Sequence, residues 1–118
     1  MAIQLDIVET PDKVAQKAAS LVADFIQAKP NAVLGLATGS TPVPTYRRLV
    51  QMHHKNGLSL AHITTFNLDE YVGLPESHEQ SYRFFMDQNL FQHIDIPPEQ
   101  THVPSGLAPD PDQECKAF

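Results

Sequence analysis

The stretch A-V-L-G-L-A-T-G-S-T-P (32–42) constrains the fold more than any other part of the chain. It opens with a continuous apolar run, A-V-L-G-L-A, the pattern of a strand covered on both faces as in a parallel sheet. The run breaks at T-G-S-T-P, where Thr41 can cap a helix and Pro42 can take its first position. Val43, Tyr46, Leu49, Val50 and Met52 or His53 then recur on one helical face, and Gly57 suits the stop. A buried strand that turns directly into a helix is the start of a βαβ unit, so the next question is whether the pattern repeats.

It does. Residues 3–8, I-Q-L-D-I-V, alternate apolar and polar and predict a strand. Thr10-Pro11 predicts a helix start, followed by Val14, Ala18, Leu21, Val22, Phe25 and Ile26 at helical spacing until Pro30. Residues 62–68 predict a third strand and 69–77 a loop. Ser77-His78-Glu79-Gln80 has the form of a capping box, and Tyr82, Phe85, Met86, Asn89 and Leu90 follow at helical spacing. After a linker at 94–98, Thr101-His102-Val103 suits a short strand. Asp110-Pro111-Asp112-Gln113 opens a last helix that runs out at Phe118. So short a helix is marginal alone, and the chain reads as the N-terminal portion, residues 1–118, of a longer single domain. The alternation implies an α/β fold with a mostly parallel sheet flanked by helices, incomplete at its C-terminus.

Composition removes whole classes of function. With 8 basic and 14 acidic residues the net charge is −6, and only Arg47-Arg48 are adjacent cations. A nucleic-acid or anionic-membrane partner calls for clustered Lys and Arg, so neither is expected. Cys115 is the single cysteine, which rules out an intrachain disulfide and suits a reducing cytoplasm. The N-terminus lacks the pattern of a signal peptide, and no run approaches the ~18 apolar residues of a membrane span.

Two segments carry chemistry. In G-L-A-T-G-S-T-P (35–42), free N–H groups and a helix N-terminus converge, with Thr38, Ser40 and Thr41 adding hydroxyls. A Walker loop is excluded, because Ser40 and Thr41 stand where Gly and Lys are required. The dinucleotide fingerprint fails at Ala37. The loop therefore suits a small phosphorylated metabolite, or else an ordinary turn with a threonine cap. In I-T-T-F-N-L-D-E-Y-V-G-L-P (63–75), a strand ends at Asp69 and Glu70. Ligands of open parallel sheets bind beyond the carboxyl ends of strands, so Asp69 can lie near the loop. An ionised, partly desolvated carboxylate there suits proton abstraction beside a carbonyl or imine; a solvated turn is the plainer reading. The histidines lack H-E-x-x-H spacing, so no metal site is expected. Cys115 suits packing as a small apolar group, and Tyr82, Phe84, Phe85, Met86 and Phe91 suit a core.

G-L-A-T-G-S-T-P (35–42), T-F-N-L-D-E-Y-V-G-L-P (65–75), S-Y-R-F-F-M (81–86) and H-I-D-I-P (93–97) occur in order. Together they closely resemble the N-terminal half of the glucosamine-6-phosphate deaminase (isomerase) family. The resemblance implies a Rossmann-like sheet and conversion of glucosamine 6-phosphate and water to fructose 6-phosphate and ammonia, without a cofactor. By motif, Thr38, Gly39, Ser40 and Thr41 match the loop around the sugar 6-phosphate. Asp69 matches the acid–base residue that moves a proton between C2 and C1 of the opened sugar, while Glu70 and Tyr71 receive no role. The family's later G-x-D-G-H-like segment, which supplies ring opening, does not occur in this chain, so no useful activity is expected of these 118 residues alone. A homo-oligomer of the longer protein is compatible with the resemblance. Two alternatives remain: a 6-phosphogluconolactonase-like hydrolase, which shares the loop but not F-N-L-D-E-Y-V-G-L-P, and a non-catalytic sugar-phosphate-binding module.

Overall fold

The computed structural model of the chain describes residues 2–118. Thr10 opens helix α1 (Pro11–Ala28) by accepting the Lys13 N–H at 3.2 Å, with Pro11 at the first position. The face that α1 buries is Ala15, Ala19, Ala23 and Ile26. This differs from the expected stripe: Val14, Leu21 and Phe25 are exposed. The small alanine side chains let α1 lie close against α2 (Val43–Asn56), which contributes Tyr46 and Leu49 to the core. Gly57 ends α2 in the left-handed region, φ 70°, which glycine adopts without steric cost.

Strands β1 (Val33–Leu36), β2 (Thr64–Asn67) and β3 (Thr101–His102) form a parallel sheet in that order. Val33 pairs with Thr64 and Leu36 with Asn67; Thr65 pairs with Thr101. Helix α2 connects β1 to β2, and α3 (Tyr82–Asn89) lies between β2 and β3. The α/β architecture with a parallel sheet and flanking helices is the one expected. Leu34 and Leu36 pack against a buried cluster that includes Leu60, Ile63, Met86, Leu90 and Ile96.

Coverage on both faces of β1 is not found. Val33 is 61% exposed and Gly35 is also open, because the described helices pack chiefly on the Leu34 and Leu36 side. On the Val33 side, Phe66 stacks on His102 (4.6 Å) and meets Phe118 edge-on (5.7 Å). Phe118 follows helix α4 (Pro111–Ala117), whose start is capped as expected: Asp110 Oδ1 accepts the N–H groups of Asp112 and Gln113. Cys115 on α4 is exposed rather than packed, since this helix buries none of its residues.

Residues 3–8 do not form the expected strand. Ile3, Leu5 and Ile7 are exposed and the segment pairs with none of β1 to β3. Alternation gives a strand a face, but the strand forms only where a neighbouring ladder satisfies its backbone. Among the described residues, no helix is long and apolar enough to cross a membrane.

Candidate active site

The two chemical segments leave neighbouring strands at the same height. Leu36 and Asn67 are register partners, and Thr38 and Asp69 each lie two residues beyond them. The Asn67 side chain ties the two strand ends together by donating from Nδ2 to the Leu36 carbonyl at 3.0 Å. Asn67 is itself buried, and its Oδ1 has no partner among the described residues.

The 38–42 loop differs from expectation in one respect. Helix α2 begins at Val43, one residue later than predicted, and the residue at the cap position is Pro42, which makes no side-chain cap bond. Thr41 therefore does not spend its hydroxyl on capping. Gly39 has φ 99°, the left-handed turn that aims the loop. The N–H groups of Gly39, Ser40 and Thr41 reach no acceptor among the described residues, and Ser40 and Thr41 are exposed. Unpaired donors at the start of a helix favour an anion. Sequence reading missed the group that holds this loop: the buried Tyr46 hydroxyl accepts the Ala37 N–H at 3.1 Å and donates to the Ala37 carbonyl.

Asp69 is exposed and makes no hydrogen bond among the described residues, so the partial desolvation expected of a carbon-acid base is not supplied here. Its neighbour behaves quite differently. Glu70 Oε1 accepts the Tyr71 N–H (2.9 Å) and the Tyr82 N–H (2.8 Å); Oε2 accepts the Ser81 hydroxyl (2.8 Å) and the Arg83 N–H (3.1 Å). Burial alone would raise the Glu70 pKa, but these donors outweigh it and hold the carboxyl below its ordinary value. The expected capping box at 77–80 is thus replaced: α3 begins at Tyr82, Ser81 caps it by accepting the Phe84 N–H, and Glu70 from the preceding loop takes the remaining amides. Residues 77–80 form turns instead, with His78 Nδ1 accepting the Gln80 N–H.

This cap brings Tyr82 beside Tyr71. Its hydroxyl donates to Tyr71 at 3.4 Å. The Tyr82 pKa is raised, first by that bond, then by the Tyr71 charge, slight burial and the Asp69 charge, while the Thr38 side chain acts in the opposite sense. Tyr82 and Tyr71 thus meet at the start of α3, with ring centroids 4.8 Å apart, a neighbourhood that no spacing in the sequence disclosed. Two histidines serve local structure here: His53 Nδ1 bonds the Leu58 carbonyl at 2.7 Å, and His93 Nε2 bonds that of Gln88 at 2.8 Å.

A family described as glucosamine-6-phosphate isomerases/6-phosphogluconolactonase matches residues 6–118. Glucosamine-6-phosphate deaminase of Shouchella clausii is 51% identical over 111 residues, which cover 94% of this chain and 45% of that protein. The enzyme of the same name from Lachnoclostridium phytofermentans is 52% identical over 104 residues, 88% of this chain and 44% of that one. Among solved structures, a monomeric glucosamine-6-phosphate deaminase superposes with TM-score 0.91 at 47% identity, covering 93% of this chain and 46% of that chain. The 6-phosphogluconolactonase of Thermotoga maritima shares the fold, with TM-score 0.74 at 23% identity over 93% of this chain and 49% of its own. The chain thus spans about half the length of the curated relatives it matches. It belongs to the glucosamine-6-phosphate isomerase/6-phosphogluconolactonase family.

Proposed function

We propose that residues 1–118 are the N-terminal portion of a single-domain glucosamine-6-phosphate deaminase. The observation that carries this reading is the matched height of the Thr38–Thr41 loop and Asp69 at the ends of adjacent parallel strands. The names of the relatives near 50% identity agree with it, and F-N-L-D-E-Y-V-G-L-P (66–75) favours it over lactone hydrolysis. Unpaired amides of Gly39, Ser40 and Thr41, with the Thr38 hydroxyl, hold the 6-phosphate.

Asp69 takes the C2 proton of the opened aldose. The C–H electron pair forms a C1–C2 double bond while the C1 carbonyl pair moves onto O1, which takes a proton from solvent, and C2 keeps its amino group. Return of the first proton to C1 leaves an iminium at C2, which gives a proton back to solvent to become the imine. Water adds there and ammonia departs, giving the ketose phosphate. The sequence is redox-neutral and consumes only water, so no cofactor enters. The lone thiol, Cys115, suits a reducing cytoplasm.

The test is a hybrid joining these residues to the C-terminal remainder of the Shouchella clausii deaminase. The hybrid should release ammonia from glucosamine 6-phosphate, and the 118-residue chain alone should not. Asp69→Asn in the hybrid should lower both ammonia release and exchange of the C2 proton by about 10²–10⁴-fold. Normal rates in that variant would sink the role of Asp69. Lactone hydrolysis by the hybrid without ammonia release would favour the hydrolase, and sugar-phosphate binding without turnover the binding module.

A further inference from the structure

We propose that Glu70 is a positioning residue for the reaction: its carboxylate clasps the backbone that carries Asp69 to the N-terminus of α3 and so sets where the Asp69 carboxylate stands. This rests on the deaminase reading for its consequence in catalysis, but its geometry stands apart from that reading.

Asp69 is exposed and has no hydrogen-bond partner among the described residues, so no side chain steers it. Its position must come from its backbone, and the next residue is the one most firmly held. Both Glu70 oxygens are doubly occupied, by three backbone N–H groups and one hydroxyl. Two of those N–H groups, from Tyr82 and Arg83, are free amides of the first turn of α3, which contains no acidic residue of its own. A carboxylate there also meets the positive end of the helix dipole. The Arg83 guanidinium is directed elsewhere, to Thr101 Oγ1 (2.7 Å) and towards Asp87 (3.6 Å). The clasp is therefore a carboxylate on amides and a hydroxyl, with no ion pair in it.

The far side of the same loop is pinned independently. The Gly73 N–H donates to the Gly106 carbonyl at 2.7 Å, and Gly106 lies so close that a Cβ there would come within 2.2 Å of the Tyr71 carbonyl oxygen. The segment after Asp69 is thus held from two directions. Glu70 also ties it to the helix that begins at Tyr82, whose hydroxyl lies 3.4 Å from that of Tyr71 in the same loop. A displacement of about 1 Å at a reacting group can cost two orders of magnitude in rate.

The experiment compares Glu70→Gln with the parent hybrid described above. Gln keeps the shape but turns an NH₂ group towards donors. The expected result is a kcat about a hundredfold lower for ammonia release and C2-proton exchange, at near-parental KM for glucosamine 6-phosphate. Ser81→Ala, which removes the hydroxyl donor alone, should give a smaller fall of the same kind and serves if Glu70→Gln does not fold. Unchanged kcat, or a loss that merely tracks the folded fraction, would overturn the proposal.

If the parent hybrid releases no ammonia, the deaminase reading fails, and the clasp is then judged in the 118-residue chain. Tyr82 and Arg83 amides should exchange hydrogen at least about tenfold faster in Glu70→Gln than in the parent. Equal exchange would overturn it there too.

Discussion

The Tyr46 hydroxyl accepts the N–H of Ala37 and donates to the carbonyl of the same residue, so α2 grips the last residue before the Thr38–Thr41 loop from within. Tyr46→Phe leaves both backbone groups of Ala37 without that partner in a half-buried setting. The expected cost is about 1–3 kcal/mol, read from the urea midpoint. In the hybrid enzyme, inhibition by inorganic phosphate should weaken as the loop loosens. Burial raises the Tyr46 pKa, against the Ala37 hydrogen bond. A raised pKa means that the stabilisation is complete below the ordinary tyrosine value, about 10, and is lost as pH climbs through the folded value. Tyr46→Phe should accordingly flatten the alkaline limb of stability against pH.

The acid limb has other owners. Glu70 and Asp95 both have depressed pKa values. Burial of Asp95 is outweighed by the Leu60 N–H (2.7 Å), the Ser59 hydroxyl (2.9 Å) and the nearby His53. A depressed carboxylate stabilises the fold above its ordinary pKa, about 4, and that contribution disappears as pH falls through the folded value. Asp87 works the other way: burial raises its pKa, opposed by Arg83 and assisted by Glu76, so its protonation favours folding. The net expectation is a urea midpoint that drops below about pH 4, and drops less steeply in the Glu70→Gln, Asp95→Asn double variant.

Gly106→Ala tests the second pin of the loop that follows Asp69. Its new Cβ would lie 2.2 Å from the Tyr71 oxygen and 2.8 Å from that of Leu74, both backbone atoms that cannot swing aside. A destabilisation of about 1–3 kcal/mol is expected, as for other overpacked sites. Slow exchange of the Gly73 amide should be lost with it, since that amide donates to Gly106. Wild-type exchange at Gly73 in the variant would show that the approach is slack.

The Val33 face of the sheet makes a further prediction. Parallel sheets are ordinarily covered on both faces, yet Val33 and Gly35 are open and Phe66 is only part-buried, against the His102 and Phe118 rings. The 118-residue chain should bind a dye that fluoresces on apolar surfaces. The hybrid, whose additional residues can cover the sheet, should bind much less per mole. Equal dye binding by the two would argue that the face stays bare.

What the sequence disclosed follows from how far each determinant reaches. Thr10-Pro11, Gly57 and Asp110-Pro111 act on their immediate neighbours, and each marks a helix end where the structure has one. The break at T-G-S-T-P and the strand before Asp69 were legible for the same reason. Determinants that depend on distant chain were not. Residues 3–8 have a strand's alternation but no ladder to join. The large apolar residues of α1 lost the core to its alanines, because closeness to α2 favoured small side chains. Glu70 could not be read as a cap from local spacing, since the helix it serves starts at Tyr82. One signal was available: S-Y-R-F opens a helix without an acid in its first turn, and such a helix leaves its amides for a carboxylate from elsewhere.

The clasp also bears on timing during synthesis. Glu70 reaches partners only eleven to thirteen residues further on, whereas β1 must wait for a strand that begins at Thr64. A loop of that size closes in roughly 10–100 ns, far faster than residues are added to a growing chain. The Glu70 side of the segment bearing Asp69 is therefore expected to be tied as soon as α3 has cleared the ribosome, with the Gly73 side pinned only when Gly106 follows.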